Sequence, residues 1–104
     1  MIRKAYVFQL KPGCSAEYQR RHNPIWPELT SLLKTQGAHN YSIFHHEGTG
    51  QLFAYVEIED EARWAAIGET TLARRWGEYM ADVMAIQSDG KPVAIALGEV
   101  FHLP

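Results

Sequence analysis

The stretch NYSIFHHEGTGQLFAYVEI, Asn40 to Ile58, decides the architecture. Asn40 to His45 and Gln51 to Ile58 each alternate in the two-residue period of a strand with one buried face. Glu47-Gly48-Thr49-Gly50 between them carries the glycines of a turn, so the whole stretch reads as a β-hairpin. Upstream, Ile25, Leu29, Leu32 and Leu33 recur at helical spacing, and Gly37 is placed for a C-terminal cap. Pro24 and Pro27 lack a backbone N–H and disfavour helix in the residue before them, so a kink or break is expected there. Before the break, Ser15 is a natural N-cap with Glu17 in the first turn, and Lys11-Pro12-Gly13 is a turn. Ile2 to Leu10 alternate, with Ile2, Tyr6, Phe8 and Leu10 on one face and Ala5 and Val7 on the other.

Downstream of the hairpin, Asp60 can cap a short helix through Ile67, Gly68 weakens it, and Thr70 or Thr71 can start another. In that second helix Leu72, Trp76, Tyr79, Met80 and Val83 form an apolar stripe. Pro92 to Leu103 reads as a last strand. The order is β-α-β-β-α-β, which predicts an α+β, ferredoxin-like single domain over residues 1–104: an antiparallel four-stranded sheet with helices on one face. Strands with large apolar side chains on both faces leave the uncovered face to pack against a second copy or to line a pocket.

Composition narrows the function. Three Trp and five Tyr among 104 residues are many for so short a chain, and flat amphipathic rings serve sugar pockets and subunit interfaces as well as cores. A net charge of −2 with ten scattered basic residues gives no footprint for nucleic acid. Cys14 is the single cysteine, which excludes an internal disulfide and a C-x-x-C motif. No apolar run approaches the roughly 18 residues needed to span a bilayer, and Met1 to Val7 lack the apolar core of a secretion signal. A soluble cytoplasmic protein without membrane association is the expectation.

The segment Tyr18-Gln-Arg-Arg-His22-Asn23-Pro24-Ile25-Trp26-Pro27-Glu28-Leu29 holds the candidate chemistry. Tyr18 and His22 are one helical turn apart on the same side. The prolines leave the carbonyls of Arg20 and Asn23 without their usual donors, beside a histidine able to exchange protons near neutral pH. The same spacing also describes surface residues on a proline-broken helix, so alone it does not establish a site. His39, His45, His46 and His102 show no metal-ligand spacing, since His45 and His46 point to opposite faces of a strand. No metal site is expected, and Cys14 has no neighbouring base to make it a nucleophile.

The run R-R-H-N-P-I-W-P-E-L, Arg20 to Leu29, resembles the signature of the L-rhamnose mutarotases. The likeness extends through Met1–Ala5, Gly37–Tyr41, Val56–Ile58, Arg75-Trp76, Tyr79-Met80, Asp82–Met84, Glu99–Phe101 and Leu103-Pro104, covering essentially the whole chain. The resemblance implies a homodimer of the dimeric α+β-barrel type that interconverts the α and β anomers of L-rhamnose without metal or cofactor. By position it implies His22 as proton donor and Tyr18, Tyr41 and Trp76 as substrate contacts. Gly77 stands where the family commonly has a second Trp, so it would offer backbone and no ring to the sugar. The partner base is left open among Glu99, a second Tyr and a water. Two rival readings share the fold: a small dimeric α+β-barrel monooxygenase or haem-degrading enzyme, and a non-catalytic ligand-binding module.

Overall fold

A computed structural model describes all residues from Met1 to Pro104. The elements are β1 (Ile2–Gln9), α1 (Ser15–Arg21), α2 (Pro27–Thr35), β2 (Ala38–His46), β3 (Gln51–Ile58), α3 (Glu61–Ile67), α4 (Thr71–Met80) and β4 (Ile95–Leu97). The strands form one sheet in the order β2-β3-β1-β4, with every neighbouring pair antiparallel. This is the predicted ferredoxin-like arrangement, with each helical crossover split in two. The first splits at Pro24 and Pro27; the second splits after Gly68, where the Thr70 hydroxyl accepts from Ala73 N–H and starts α4.

Alternation sets which face is buried. Leu52, Ala54, Val56 and Ile58, every second residue of β3, are at most 2% exposed. Their neighbours on β1 are Phe8, Tyr6, Lys4 and Ile2, as the register requires. The helices supply Tyr18, Met80 and Trp76 to one apolar cluster and Leu33 and Trp64 to another. Ile58 is wholly buried, so Ile58→Ala should cost about 2–5 kcal/mol through lost burial and a residual cavity. Urea unfolding should show this as a lower midpoint at unchanged slope.

The opposite face is open. Val7 lies between Phe53 and Ile95, and Ala5 between Tyr55 and Leu97. Phe44, Phe53, Ile95 and Leu97 there are all substantially exposed.

Gly37 fixes the passage from α2 into the sheet. Its φ is +86°, and an added Cβ would come within 3.0 Å of the Glu59 side chain. Its carbonyl accepts from Glu59 N–H at 3.1 Å, which ties the start of β2 to the end of β3.

Two expectations need correction. The helix cap is Cys14, without a side-chain cap bond, and Ser15 is the first helical residue. Gly13 at φ +76° reverses the chain and the Cys14 N–H bonds to Lys11 O, so the helix runs directly out of the turn and the Tyr18 N–H already reaches Cys14 O. The segment Pro92 to Leu103 forms a ladder only over Ile95–Leu97, against Ala5–Val7, with an isolated bridge from Pro92 to Ile86 before it. It leaves the ladder at Gly98, which has no side chain to pack, and Val100, Phe101 and Leu103 remain largely exposed.

Candidate active site

His22 occupies the C-terminal cap of α1, just before the proline-broken segment. Because the helix ends there, its N–H bonds to Gln19 O instead of continuing the α-helical ladder, and the Tyr18 carbonyl is taken by the His22 ring at 2.9 Å from Nδ1. A carbonyl can only accept, so Nδ1 carries the hydrogen and Nε2 keeps its lone pair. The Arg20 carbonyl, expected to be free, accepts from Asn23 N–H at 3.2 Å. The acceptor that matters is therefore Tyr18 O, which fixes the tautomer of His22.

The imidazole sits in an aromatic box. It stacks on the Tyr18 ring with centroids 4.3 Å apart, and Trp76 meets it edge-on at 5.1 Å. Trp26 packs edge-on against Trp76 at 5.0 Å and stacks on Tyr79 at 5.3 Å. Tyr18, His22, Tyr41 and Trp76, from α1, its cap, β2 and α4, line one cavity of about 1200 Å³. Trp64 forms a further wall, lying 6.0 Å from Tyr41 and donating its indole N–H to the Tyr6 hydroxyl at 3.0 Å.

Desolvation sets the charge of His22, Tyr18 and Tyr41. Burial lowers the pKa of His22, opposed only by the Tyr18 carbonyl, and no carboxylate pairs with the ring. The ring is therefore mostly neutral near pH 7. Burial also raises the Tyr18 hydroxyl, and desolvation pushes Tyr41 up to about 12 although 38% of the whole residue is exposed. Both phenols stay protonated and can donate. The cavity thus combines the neutral His22 imidazole, two neutral hydroxyl donors and a flat apolar wall, with His39, His45 and Glu47 also on its lining.

Gly77 is not on the cavity wall. One step round α4 from Trp76 it turns away and is buried, and an added Cβ would lie 3.6 Å from the Gly90 carbonyl. A helix cannot aim consecutive side chains the same way. Glu99 is also removed from the list of possible bases. It pairs with Arg3 at 2.8 Å, and Arg3 belongs to the open face because it alternates with Lys4 and Tyr6. Residues given no site role from the sequence now appear: Gln19 and Glu47 line the cavity together with His45, which was weighed only as a metal ligand, and Trp26 packs edge-on against Trp76. Trp26 lies inside the proline-rich motif, so its neighbourhood carried the signal; Glu47 and His45 come from the hairpin and are close only after folding.

A family model described as L-rhamnose mutarotase matches residues 3–103. The chain belongs to the L-rhamnose mutarotase family. It is 60% identical over 103 residues to an L-rhamnose mutarotase from Opitutus terrae, covering 99% of both chains. It also resembles the crystal structure of an L-rhamnose mutarotase from Formosa agariphila, with TM-score 0.92, 36% identity and complete coverage of both chains. A candidate antibiotic biosynthesis monooxygenase from Nitrosomonas europaea shares the fold at TM-score 0.64 with 14% identity, covering 95% of this chain and 89% of that one. That likeness concerns the fold alone. Membership in the L-rhamnose mutarotase family is thus carried by full-length identity as well as by the shared fold.

Proposed function

We propose that this protein interconverts the α and β anomers of L-rhamnose, with His22 as the proton carrier and Tyr18, Tyr41 and Trp76 holding the sugar. The observation that carries the reading is a tautomer-fixed imidazole on the wall of an aromatic cavity. Ring opening removes the proton of the anomeric hydroxyl, breaks the bond from C1 to the ring oxygen, and protonates that oxygen. Both oxygens are bonded to C1, so Nε2 can take the proton from one and deliver it to the other. Rotation about C1–C2 and the reverse steps on the other face of the aldehyde give the second anomer. The phenols of Tyr18 and Tyr41 donate to sugar hydroxyls, and Trp76 offers its face to the C–H surface.

The test is saturation transfer between the anomeric proton signals of L-rhamnose with catalytic amounts of protein. Faster exchange supports the reading; unchanged exchange at high protein concentration rejects it, and binding without exchange would favour the non-catalytic alternative. The pH profile follows from the direction of the His22 shift. Nε2 must be unprotonated to start, so kcat/KM should fall on the acid side with a midpoint below the ordinary histidine value of 6.5. With both phenols pushed upward, the enzyme-dependent rate should stay flat from pH 7 to about 9.

We also infer that a single domain over residues 1–104 works as a homodimer in the cytoplasm. The open apolar sheet face and the exposed Val100, Phe101 and Leu103 support a second copy as the cover. Ile95→Asp should shift sedimentation from dimer to monomer; a dimer that persists would move the interface elsewhere. The acidic balance and unpaired Cys14 support the location, and no helix is long and apolar enough to cross a membrane.

A further inference from the structure

We propose that Arg21, which does not line the cavity, is a positioning residue that sets the distance between His22 and Trp76. The proposal rests on the mutarotase reading above and adds to it a residue outside the substrate contacts. The Arg21 side chain is only 10% exposed, although Gln19 and Arg20 on the same short helix are exposed. Its guanidinium is almost fully used. Nε donates to Glu17 Oε2 at 2.8 Å, Nη1 donates to Asp82 Oδ1 and to the Tyr79 carbonyl, both at 2.7 Å, and Nη2 donates to Asp82 Oδ2 at 3.1 Å. The guanidinium carbon also lies 4.6 Å from the centre of the Tyr79 ring.

These contacts close a circuit. Arg21 is bonded to His22 through the backbone. His22 meets the edge of Trp76 at 5.1 Å, and Trp76 lies three residues before Tyr79 on α4. Tyr79 returns to Arg21 through both its carbonyl and its ring. Trp26, from beyond the proline break, packs on both Trp76 and Tyr79 and fills the middle of the circuit. Among the element pairs with substantial contacts, α4 meets α2 but not α1. The two helices also share the apolar cluster of Tyr18, Trp76 and Met80, and to that packing the Arg21 fork adds a directional, hydrogen-bonded tie between the helix that ends in the proton carrier and the helix that carries the sugar platform.

The geometry suits arginine and not lysine. A planar fork can hold a carboxylate with two bonds, a carbonyl with a third, and still stack on a ring, whereas an ammonium has neither the plane nor the reach for all four. Loosening this tie lets His22 drift relative to the sugar bound on Trp76. Misplacement of a reacting group by about 1 Å can cost on the order of 10²-fold in rate. Binding is less affected, because Trp76, Tyr18 and Tyr41 are retained.

Arg21→Lys tests this, assayed for L-rhamnose anomer exchange well below its melting temperature. The expected result is a kcat lowered about tenfold or more with KM within about twofold, together with a displaced His22 Hε1 resonance, since that proton senses the ring currents of Tyr18 and Trp76. Asp82→Asn provides the check if Arg21→Lys does not fold. The Asp82 carboxylate is 69% exposed, so its loss weakens the fork without opening the core, and a fall in kcat with a smaller shift of the same resonance is expected. A folded Arg21→Lys or, failing that, Asp82→Asn protein with kcat within twofold of the parent and an unmoved Hε1 signal overturns the proposal. Parent protein without exchange activity would instead refute the mutarotase reading, a separate outcome read in the same assay.

Discussion

His22→Ala should lower enzyme-dependent anomer exchange by about 10²–10⁴-fold, the usual contribution of a positioned acid–base group. The prediction follows from the tautomer. With Nδ1 held by the Tyr18 carbonyl at 2.9 Å, Nε2 is the one ring nitrogen free to meet substrate, and the cavity wall near it holds no carboxylate paired with the ring. The phenols of Tyr18 and Tyr41 cannot replace it, since both are pushed above their ordinary range and remain neutral donors. The substitution should leave the fold intact. His22 is half-buried at a helix cap and contributes one hydrogen bond to Tyr18 O, worth about 1 kcal/mol. His22→Gln makes the test sharper by retaining a side-chain amide able to bond the same carbonyl while losing the titrating group; its exchange rate should match that of His22→Ala. A folded variant with parental activity would take the proton role away from this residue.

Trp76→Ala should act on binding. Removing the indole strips the cavity of its flat wall and leaves the contacts to His22 at 5.1 Å and Trp26 at 5.0 Å unmade. An aromatic face is worth about 0.5–1.5 kcal/mol beyond its buried area, so KM should rise about tenfold while kcat falls by much less. Trp76→Phe retains a ring and should lie between. Part of the effect of the alanine will be on stability, below the roughly 3–5 kcal/mol seen for Trp in a full core, because Trp76 is only partly buried. Thermal unfolding beside the kinetics separates the two. A KM that does not move, with a large drop in kcat, would mean that Trp76 acts on the transition state and not on the bound sugar. The contrast with Arg21→Lys is useful: one variant should change binding and the other the rate, although both alter the same box.

Much of this was legible in the residues. The two-residue period of Gln51 to Ile58 has its physical counterpart in the burial of Leu52, Ala54, Val56 and Ile58, because pleating sends alternate side chains to opposite faces whatever the surroundings. The prolines at 24 and 27 break the first crossover because they lack a donor, and Asp60 and Thr70 cap helices because their side-chain oxygens accept from nearby N–H groups. Tyr18 and His22 were visible as a pair because a helix brings residues four apart together. All of these are local rules, decided within a few residues.

What lay outside the reach of the sequence depends on partners distant along the chain. Nothing near Glu99 reveals that Arg3 neutralises it on the far side of the sheet, and nothing near Pro92 reveals that pairing with β1 stops at Gly98. The grip of Arg21 on Tyr79 and Asp82 spans about 60 positions, and the cavity itself is assembled from both crossovers and the hairpin. The sequence alone determined the order of elements, the buried face and the pairing of Tyr18 with His22, since these follow from periodicity, backbone donors and helical spacing, while the role given to His22 came from the family resemblance. The tertiary structure alone decided which nitrogen of His22 is free, that Gly77 turns away from the cavity, and which rings enclose the imidazole, since these depend on where non-neighbouring groups meet once the helices are laid on the sheet.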